Sequence, residues 1–542
     1  YGTSAQLDAA FQTLFQNTRG VVIFPENDSR LCAIAARAGL RGKIIDHIFF
    51  GSPNSEIFGS LSEITRPQND SLTGSQRLAY AVLCWLRAKD PKIAIDLSHR
   101  QSNKIARRNQ FLGTLDEVDY WSDYAHHPTE VLHCMRSMES RYKDVAFVFE
   151  PHRYTRTAQY AQEFANTCAT RQVDLLPVYA AGEQSISSGQ SETIFKKLPQ
   201  QHDVRLISDV RELRNPDKKK QAVVFVGAGS IHAQAERWFR EQRIESLIQW
   251  LDQENILYQT DVSSRFFSSI HIAGQLRLLI CPNDKTQLMR LNAALKRYQV
   301  KWMLLGNGTN VLLDYDEGVF VSLRQLPREI QISGDRVIAS ANLPLPYFCR
   351  CLARAGITDY VALAGIPGTL GGALRMNAGA YGQEIFNQLT ELEVLPFNGD
   401  TLERHTKSMI KYAYRQGFRN GVILNAQFAF SQSRRQPPEE IVAAMERSRT
   451  QREQSQPKEP NIGCIFKNPP QSSAGSLIDQ CGLKGFTHGD AKVSKRHANF
   501  IVNTGNATPD DVKYLIKTCR QRVFEMYGVY LQREILFASD FF

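Results

Sequence analysis

The 10 cysteines form no Cys-x-x-Cys pair and follow no regular spacing. That excludes a disulfide framework and a zinc ribbon, and it points to reduced thiols in a cytoplasmic protein. Cys349 and Cys351 lie closest in sequence, with no His-rich cluster beside them, so no metal is expected. No stretch stays apolar for the roughly 18–20 residues that crossing a bilayer takes. The opening Tyr1-Gly2-Thr3-Ser4 has no basic segment ahead of an apolar run, so no signal peptide is expected. It also lacks an initiator Met and passes at once into a helical pattern, so the chain is expected to begin inside a domain. Internal repeats, coiled-coil heptads and long low-complexity tracts are missing. So is any Gly-x-x-x-x-Gly-Lys-Ser/Thr loop in the 542 residues, which removes the usual cradle for ATP phosphates.

What is present is ordinary globular composition: 42% hydrophobic and 22% charged residues, which argues against disorder. A chain this long exceeds one core and implies four or five structural units. The net charge of +10 comes from scattered Lys and Arg, with only short clusters such as Lys218-Lys219-Lys220. That pattern suits a positive field for phosphorylated small ligands better than a nucleic-acid surface.

Leu7, Phe11, Leu14 and Phe15 repeat at helical spacing. Val21 to Phe24 reads as a buried strand, followed by a loop from Pro25 to Ser29 and a helix through Cys32, Ile34 and Ala35. The alternation predicts a parallel sheet. Residues 119–241 repeat it more clearly, with strands predicted at Val145 to Phe149, Leu175 to Tyr179 and Ala222 to Val226. This is the pattern of a small doubly wound domain. Residues 236–262 carry a helical pattern and predict a helical connector. Beyond them strands shorten and glycine-rich turns appear, an α+β character. Ser431 to Gln436 and Glu453 to Pro460 are polar and predict loops.

Two glycine-rich segments carry chemistry. In Leu304-Leu305-Gly306-Asn307-Gly308-Thr309-Asn310-Val311-Leu312 an apolar strand enters a Gly-x-Gly turn and leaves as another strand. Such backbone can cradle a diphosphate, and a plain hairpin would look the same. The second runs from Ala364 through Gly365, Ile366, Pro367, Gly368, Thr369, Gly371 and Gly372 to Asn377, Gly379, Ala380 and Gly382. Six glycines within eighteen residues, interleaved with Ile366, Leu370, Met376 and Tyr381, read as loops wrapped on an extended cofactor rather than as a linker.

Five further segments follow. They are Tyr412-Ala413-Tyr414-Arg415, Asn461 to Pro469, Ala474 to Gly485, Val493-Ser494-Lys495-Arg496-His497-Ala498-Asn499-Phe500, and Tyr530 to Ile535. The ordered set of seven resembles the UDP-N-acetylenolpyruvoylglucosamine reductases (MurB), in their compact, type II form. The resemblance covers about 280 residues from an expected entry strand at Phe266 to Gly274. It implies an FAD-binding domain over 263–430, in two parts, and a substrate-binding domain over 431–542. It also implies reduction of the double bond of UDP-GlcNAc-enolpyruvate to UDP-MurNAc at the expense of NADPH. A hydride from the flavin reaches the terminal carbon, and charge builds on the neighbouring carbon beside a carboxylate. The resemblance assigns Arg415 to that carboxylate, Glu534 as a neighbour with raised pKa that donates a hydrogen bond, and Cys464 as the proton donor. Cys464 stands where the family usually has serine; a thiol is a competent acid, and the alternative is that it only fills an apolar gap. The same likeness places Tyr414, Lys467, Asn468, Lys484 and Asn499 at the substrate. Departures from the pattern fall at Ala273, at His488-Gly489-Asp490, and at the Gln416-Gly417 that follows Arg415.

Upstream, Asp123-Tyr124-Ala125-His126-His127-Pro128-Thr129-Glu130, Glu150-Pro151-His152-Arg153-Tyr154-Thr155-Arg156, Tyr179-Ala180-Ala181-Gly182-Glu183 and Gly227-Ala228-Gly229-Ser230 resemble the C-terminal domain of UDP-N-acetylmuramate–L-alanine ligase (MurC). The implied organisation is multidomain α/β and α+β. Residues 1–118 would be the remnant of a ligase central domain and 119–241 the ligase C-terminal domain, with a connector at 242–262 before the reductase. His126 and His127 fit a locally hydrogen-bonded domain-start loop better than a metal site. Without a phosphate loop no ligase activity is expected from this chain, which is either a fragment of a fusion or a fusion with a decayed ligase half. A non-catalytic UDP-sugar-binding protein is the remaining alternative, and other enzymes of the same pathway are the expected partners.

Overall fold

The computed structural model describes residues 108–542 apart from 214–220, 432–434 and 471, together with the backbone of three strands nearer the start. It comprises two compact units, 1–106 and 107–542.

In the first unit, Val22–Pro25, Arg41–Ile45 and Ile48–Ser52 form a sheet whose two pairings are both antiparallel. The strand expected at Val21 to Phe24 is there as Val22–Pro25, and among the described residues its sheet is antiparallel where a parallel one was expected. Only residues 46 and 47 separate the second and third strands, and so short a link reverses the chain, whereas a parallel crossover takes a dozen residues or more. The expected helices through Leu7 and Cys32, the loop to Ser29 and the Lys218 cluster lie outside the described residues.

The second unit opens with a six-stranded sheet ordered Gln110–Leu115, Val118–Asp123, Ala222–Val226, Val145–Phe149, Gln172–Leu175, Asp203–Leu206. Its first pair is antiparallel and the rest are parallel. Alternating side chains serve two cores. Phe147 and Phe149 pack with Met135, Met138 and Phe164 on one face, while Val148 and Phe225 meet Ile231, Trp238 and Phe239 on the other. This is the expected doubly wound arrangement, extended by a hairpin at 110–123. Asp116 and Glu117 turn that hairpin, both with positive φ, without the Asn-Gly or Asp-Gly signature that marks such turns in sequence. The strand predicted at 175–179 lies earlier, at Gln172–Leu175. Its polar members disguised it: Asp174 is buried and paired with Arg205 at 3.1 Å. Pro177 cannot donate to a ladder.

The expected connector is a helix, Ile231–Gln253, followed by a strand, Leu257–Ser263. That strand pairs antiparallel with Gln275–Cys281, whereas the entry strand expected at Phe266 to Gly274 is a short 3-10 turn and irregular chain. Among the described residues the reductase-like part holds three sheets of more than two strands. One is four-stranded around Gln275–Cys281, one a five-stranded antiparallel sheet around Gly421–Ala429, and one four-stranded around Phe500–Asn503. The second carries a core about Phe348, Tyr360 and Phe428. The third packs on the helices Ala474–Gln480 and Pro509–Tyr527. No described helix is long and apolar enough to cross a membrane.

Candidate active site

Glycine decides where the first cofactor segment can run. Gly308 has φ +61°, and a Cβ there would sit 1.9 Å from the Phe267 carbonyl oxygen, so two stretches of main chain meet that no side chain could separate. The flanking strands Met303–Leu304 and Val311–Leu312 belong to different sheets. The Gly-x-Gly segment is therefore a crossing between sheets and not a hairpin.

Main-chain pairing then gathers three distant segments. Ile465 to Lys467 runs alongside Gln532 to Glu534: Lys467 N donates to the Gln532 carbonyl at 2.9 Å and Glu534 N to the Ile465 carbonyl at 2.8 Å. Leu536 N donates to the Asn310 carbonyl at 3.0 Å. Cys464, at the end of Asn461–Cys464, is thereby held beside Glu534 and the glycine segment.

Arg415 arrives on a tight turn in which Ala413 and Gln416 exchange main-chain hydrogen bonds of 2.8 and 2.9 Å. Its own φ is +56°, a conformation costing a non-glycine residue about 1–2 kcal/mol. Gly417 seats the turn: a Cβ there would lie 1.8 Å from the Leu374 carbonyl oxygen. The Gln-Gly departure from the family pattern thus has a packing reason. Arg415 Nε stands 3.0 Å from Glu534 Oε1, yet this buried Nε is not aligned to donate to any partner.

These residues line one cavity of about 1270 Å³, larger than the roughly 300–1,000 Å³ usual for a single small ligand. Gly306, Asn307, Gly308, Thr309, Asn310, Ile366, Pro367, Gly368, Thr369, Gly372, Gly379, Ala380, Arg415, Cys464 and Glu534 all face it. The size of the cavity, the main chain of Gly306 to Asn310 along it and the Arg415 cation fit an anionic dinucleotide with a second anionic ligand.

Three expected cofactor residues act beside the cavity. Gly365 makes room for Arg452, whose Cδ would be 2.7 Å from an added Cβ. Gly371 packs on Ala341, its N–H donating to the Ala341 carbonyl at 2.7 Å. Asn377 is buried in a left-handed helix cap and donates to the Ala413 carbonyl at 3.1 Å, so it braces the turn that presents Arg415.

The five expected substrate residues are not among the cavity lining. Tyr414 is exposed beneath the Arg415 guanidinium, 4.9 Å from its ring centre. Lys467 is near enough to pull the Glu534 carboxyl down. Asn468 accepts from Ala474 N at 3.0 Å, and Lys484 pairs with Asp479 at 2.6 Å. Asn499 is buried, accepts from Phe466 N–H at 2.9 Å and donates its Nδ2 to the Phe466 carbonyl at 2.8 Å, which makes it a strand pin.

Sequence reasoning missed Arg375 and Arg452, which both line the cavity. Arg375 stood within the glycine-rich segment, where a lone cation was a usable signal; Arg452 was hidden in a run of Glu, Gln and Arg.

Desolvation dominates the electrostatics. It pushes the half-buried Cys464 thiol up to about 12, the Glu534 charge adding to it and Arg415 and Arg452 opposing. Burial likewise raises Glu534, against the pull of Arg415 and Lys467. Both groups therefore hold protons to higher pH than usual. A protonated thiol is a proton source and a poor nucleophile.

Elsewhere, His126 Nδ1 meets the Tyr124 carbonyl at 3.0 Å and His127 caps the helix Pro128–Glu139, accepting from Thr129 N. His488-Gly489-Asp490 is a hairpin turn whose Asp490 carboxylate receives Asn506 N at 2.8 Å.

Comparison with known proteins gives three family matches. Residues 456–538 match the C-terminal domain of UDP-N-acetylenolpyruvoylglucosamine reductase, residues 276–404 an FAD-binding domain, and residues 107–229 the Mur ligase glutamate ligase domain. A UDP-N-acetylenolpyruvoylglucosamine reductase from Caldanaerobacter subterraneus subsp. tengcongensis is 37% identical over 293 residues, 53% of this chain and 95% of the relative. One from Thermotoga sp. is 36% identical, covering 52% and 95%. The crystal structure of the Thermus caldophilus reductase aligns at 30% identity and a TM-score of 0.44, covering 52% of this chain and 98% of that one.

Proposed function

The chain belongs to the UDP-N-acetylenolpyruvoylglucosamine reductase family, and on that premise we propose how its own residues carry the reaction. The protein is a flavin-dependent reductase that converts UDP-GlcNAc-enolpyruvate to UDP-MurNAc, with NADPH as the proposed reductant and the cytoplasm as its proposed location. Gly306 to Asn310, Ile366 to Thr369, Gly372, Gly379 and Ala380 hold the dinucleotide, and bound FAD supplies the hydride. The forked guanidinium of Arg415 binds the substrate carboxylate and steadies the charge that develops next to it. Glu534, whose carboxyl burial raises, donates a hydrogen bond to the same group when it carries its proton. Cys464 delivers its proton to the electron-rich carbon, and the thiolate left behind recovers a proton from solvent once the product departs.

The carrying observation is that Arg415, Cys464 and Glu534, from three separate segments, line one cavity with the glycine segments. The test is NADPH oxidation by the purified chain with and without UDP-GlcNAc-enolpyruvate. Flavin reduction that persists in Cys464→Ala while sugar reduction is lost supports these roles. Equal survival of both removes Cys464 as the acid, and a protein that takes up no flavin removes the reading.

A further inference from the structure

The helix Ile231–Gln253 belongs to two cores at once. Its first half buries Ile231, Trp238 and Phe239 in the ligase-type sheet. Its second half buries Ile244, Leu247 and Leu251 with the reductase strands. Arg243 stands between the two. Its guanidinium lies over the Phe239 ring, 4.0 Å from the centre. One terminal nitrogen donates to the Leu112 carbonyl at 3.2 Å, within the ligase-type sheet, and to Gln299 Oε1 at 2.5 Å; the other reaches the Gln299 carbonyl at 3.5 Å.

Gln299 is a reductase residue that lines the cavity, as do Lys301 and Trp302 beside it. Its φ is +51°, a strained backbone for a residue with a side chain, and such strain persists only when neighbours hold it. Arg243 grips this residue by both its carbonyl and its side chain. Gly113 completes the contact from the ligase-type sheet. It has φ +141°, and a Cβ there would lie 2.0 Å from an Arg243 terminal nitrogen and 3.0 Å from Gln299 Oε1. A second link runs parallel: Arg240 donates to Tyr315 Oη at 3.0 Å, Tyr315 stacks on Phe542, and the Phe542 carbonyl accepts from Lys301 Nζ at 2.7 Å.

We propose that the ligase-type domain is a working part of the reductase site, with Arg243 as a positioning residue that clamps Gln299 and so sets the wall of the FAD cavity from Gln299 to Trp302. The domain thereby raises the affinity for the dinucleotide without touching it. Burial lowers the guanidinium of Arg243 only to about 10, so the clamp is charged at neutral pH. The inference rests on the cavity taking FAD.

The test measures the FAD dissociation constant of the flavin-stripped full chain by flavin fluorescence, with kcat read at saturating FAD. Arg243→Ala and Gly113→Ala should each raise the constant about tenfold, within the range of coupling between sites, and leave kcat within about threefold. Millimolar ethylguanidinium should restore affinity to Arg243→Ala and not to Gly113→Ala, a rescue that general loss of packing would not show. If Arg243→Ala does not fold, Arg243→Lys, which keeps the charge and loses the fork, carries the same measurement. A dissociation constant within twofold of the parent in the folded variants, or lost kcat with unchanged affinity, overturns the proposal. A parent chain that binds no FAD defeats the reductase reading instead.

Discussion

Arg415 and Glu534 meet at 3.0 Å across the cavity, and the pair leaves the buried Arg415 Nε without an aligned acceptor. Burial works against the Glu534 charge, and a protonated Glu534 would leave the Arg415 cation for another anion. Arg415→Lys, which keeps charge and removes the planar fork, should lower kcat/KM for sugar reduction by about 10²-fold or more. Its FAD affinity should stay within about twofold. Steady-state kinetics and a flavin titration on one preparation separate the two effects; weakened FAD binding with intact turnover would contradict the assignment.

Glu534 has its carboxyl raised by desolvation. Its protonated form persists above the usual carboxylate range and gives way as pH rises through the raised value. The rate of sugar reduction should fall along that limb. Glu534→Gln, a permanent donor of similar shape, should lose the limb while keeping part of the rate; a pH profile of single-turnover sugar reduction in both proteins is the measurement.

Cys464, pushed up to about 12, does not titrate in the neutral range. Cys464→Ser should retain sugar reduction, and Cys464→Ala should lose about 10²–10⁴-fold, the usual contribution of a positioned proton donor. Alkylation by iodoacetamide at pH 7 should be slow, because little thiolate is present. Rapid labelling of Cys464 in the folded protein would show that the thiol ionises more easily.

Asp314 pins the end of the chain. Its side chain has no exposed surface and meets Lys513 at 2.8 Å, and it accepts from Ser539 N–H at 2.9 Å and Oγ at 2.6 Å. Burial works to raise its pKa, but these donors outweigh burial and hold it below the usual carboxylate value. Its stabilisation is present above the unfolded value, about 3.9, and is lost as pH falls through the lower folded value. Asp314→Asn should destabilise the reductase part by about 1 kcal/mol at neutral pH, since it removes the close partner of a partly exposed Lys513 that keeps only Asp510 at 3.9 Å. The gap between the two proteins in urea unfolding should close at acidic pH; a gap that stays constant from pH 7 to 3 would mean that the ion pair contributes nothing.

Strands built from unbroken apolar runs, such as Val145–Phe149 and Ala222–Val226, were legible because burial on both faces leaves a plain hydrophobic signal. Gln172–Leu175 was misplaced because a buried aspartate, Asp174, paired with the partly exposed Arg205, made part of it look like surface. The hairpin at 110–123 escaped because its turn takes positive φ without glycine or asparagine. At the site, the resemblance to a known family singled out Arg415, Cys464 and Glu534, and the structure places all three on one cavity. It carried less for Asn499 and Asn377, where the same amides serve the main chain.

Sequence alone determined which chemical groups this protein has to work with: a cation, a thiol and a carboxyl in recognisable settings, and glycines where a cofactor needs bare backbone. Only the tertiary structure decided what those groups became. Main-chain pairing brings Cys464 to Glu534, a strained turn presents Arg415, and one helix ties two domains to a shared cavity wall. Proximity and dryness set both the proton affinities and the reach of each side chain, and neither is a property of any residue's place in the chain.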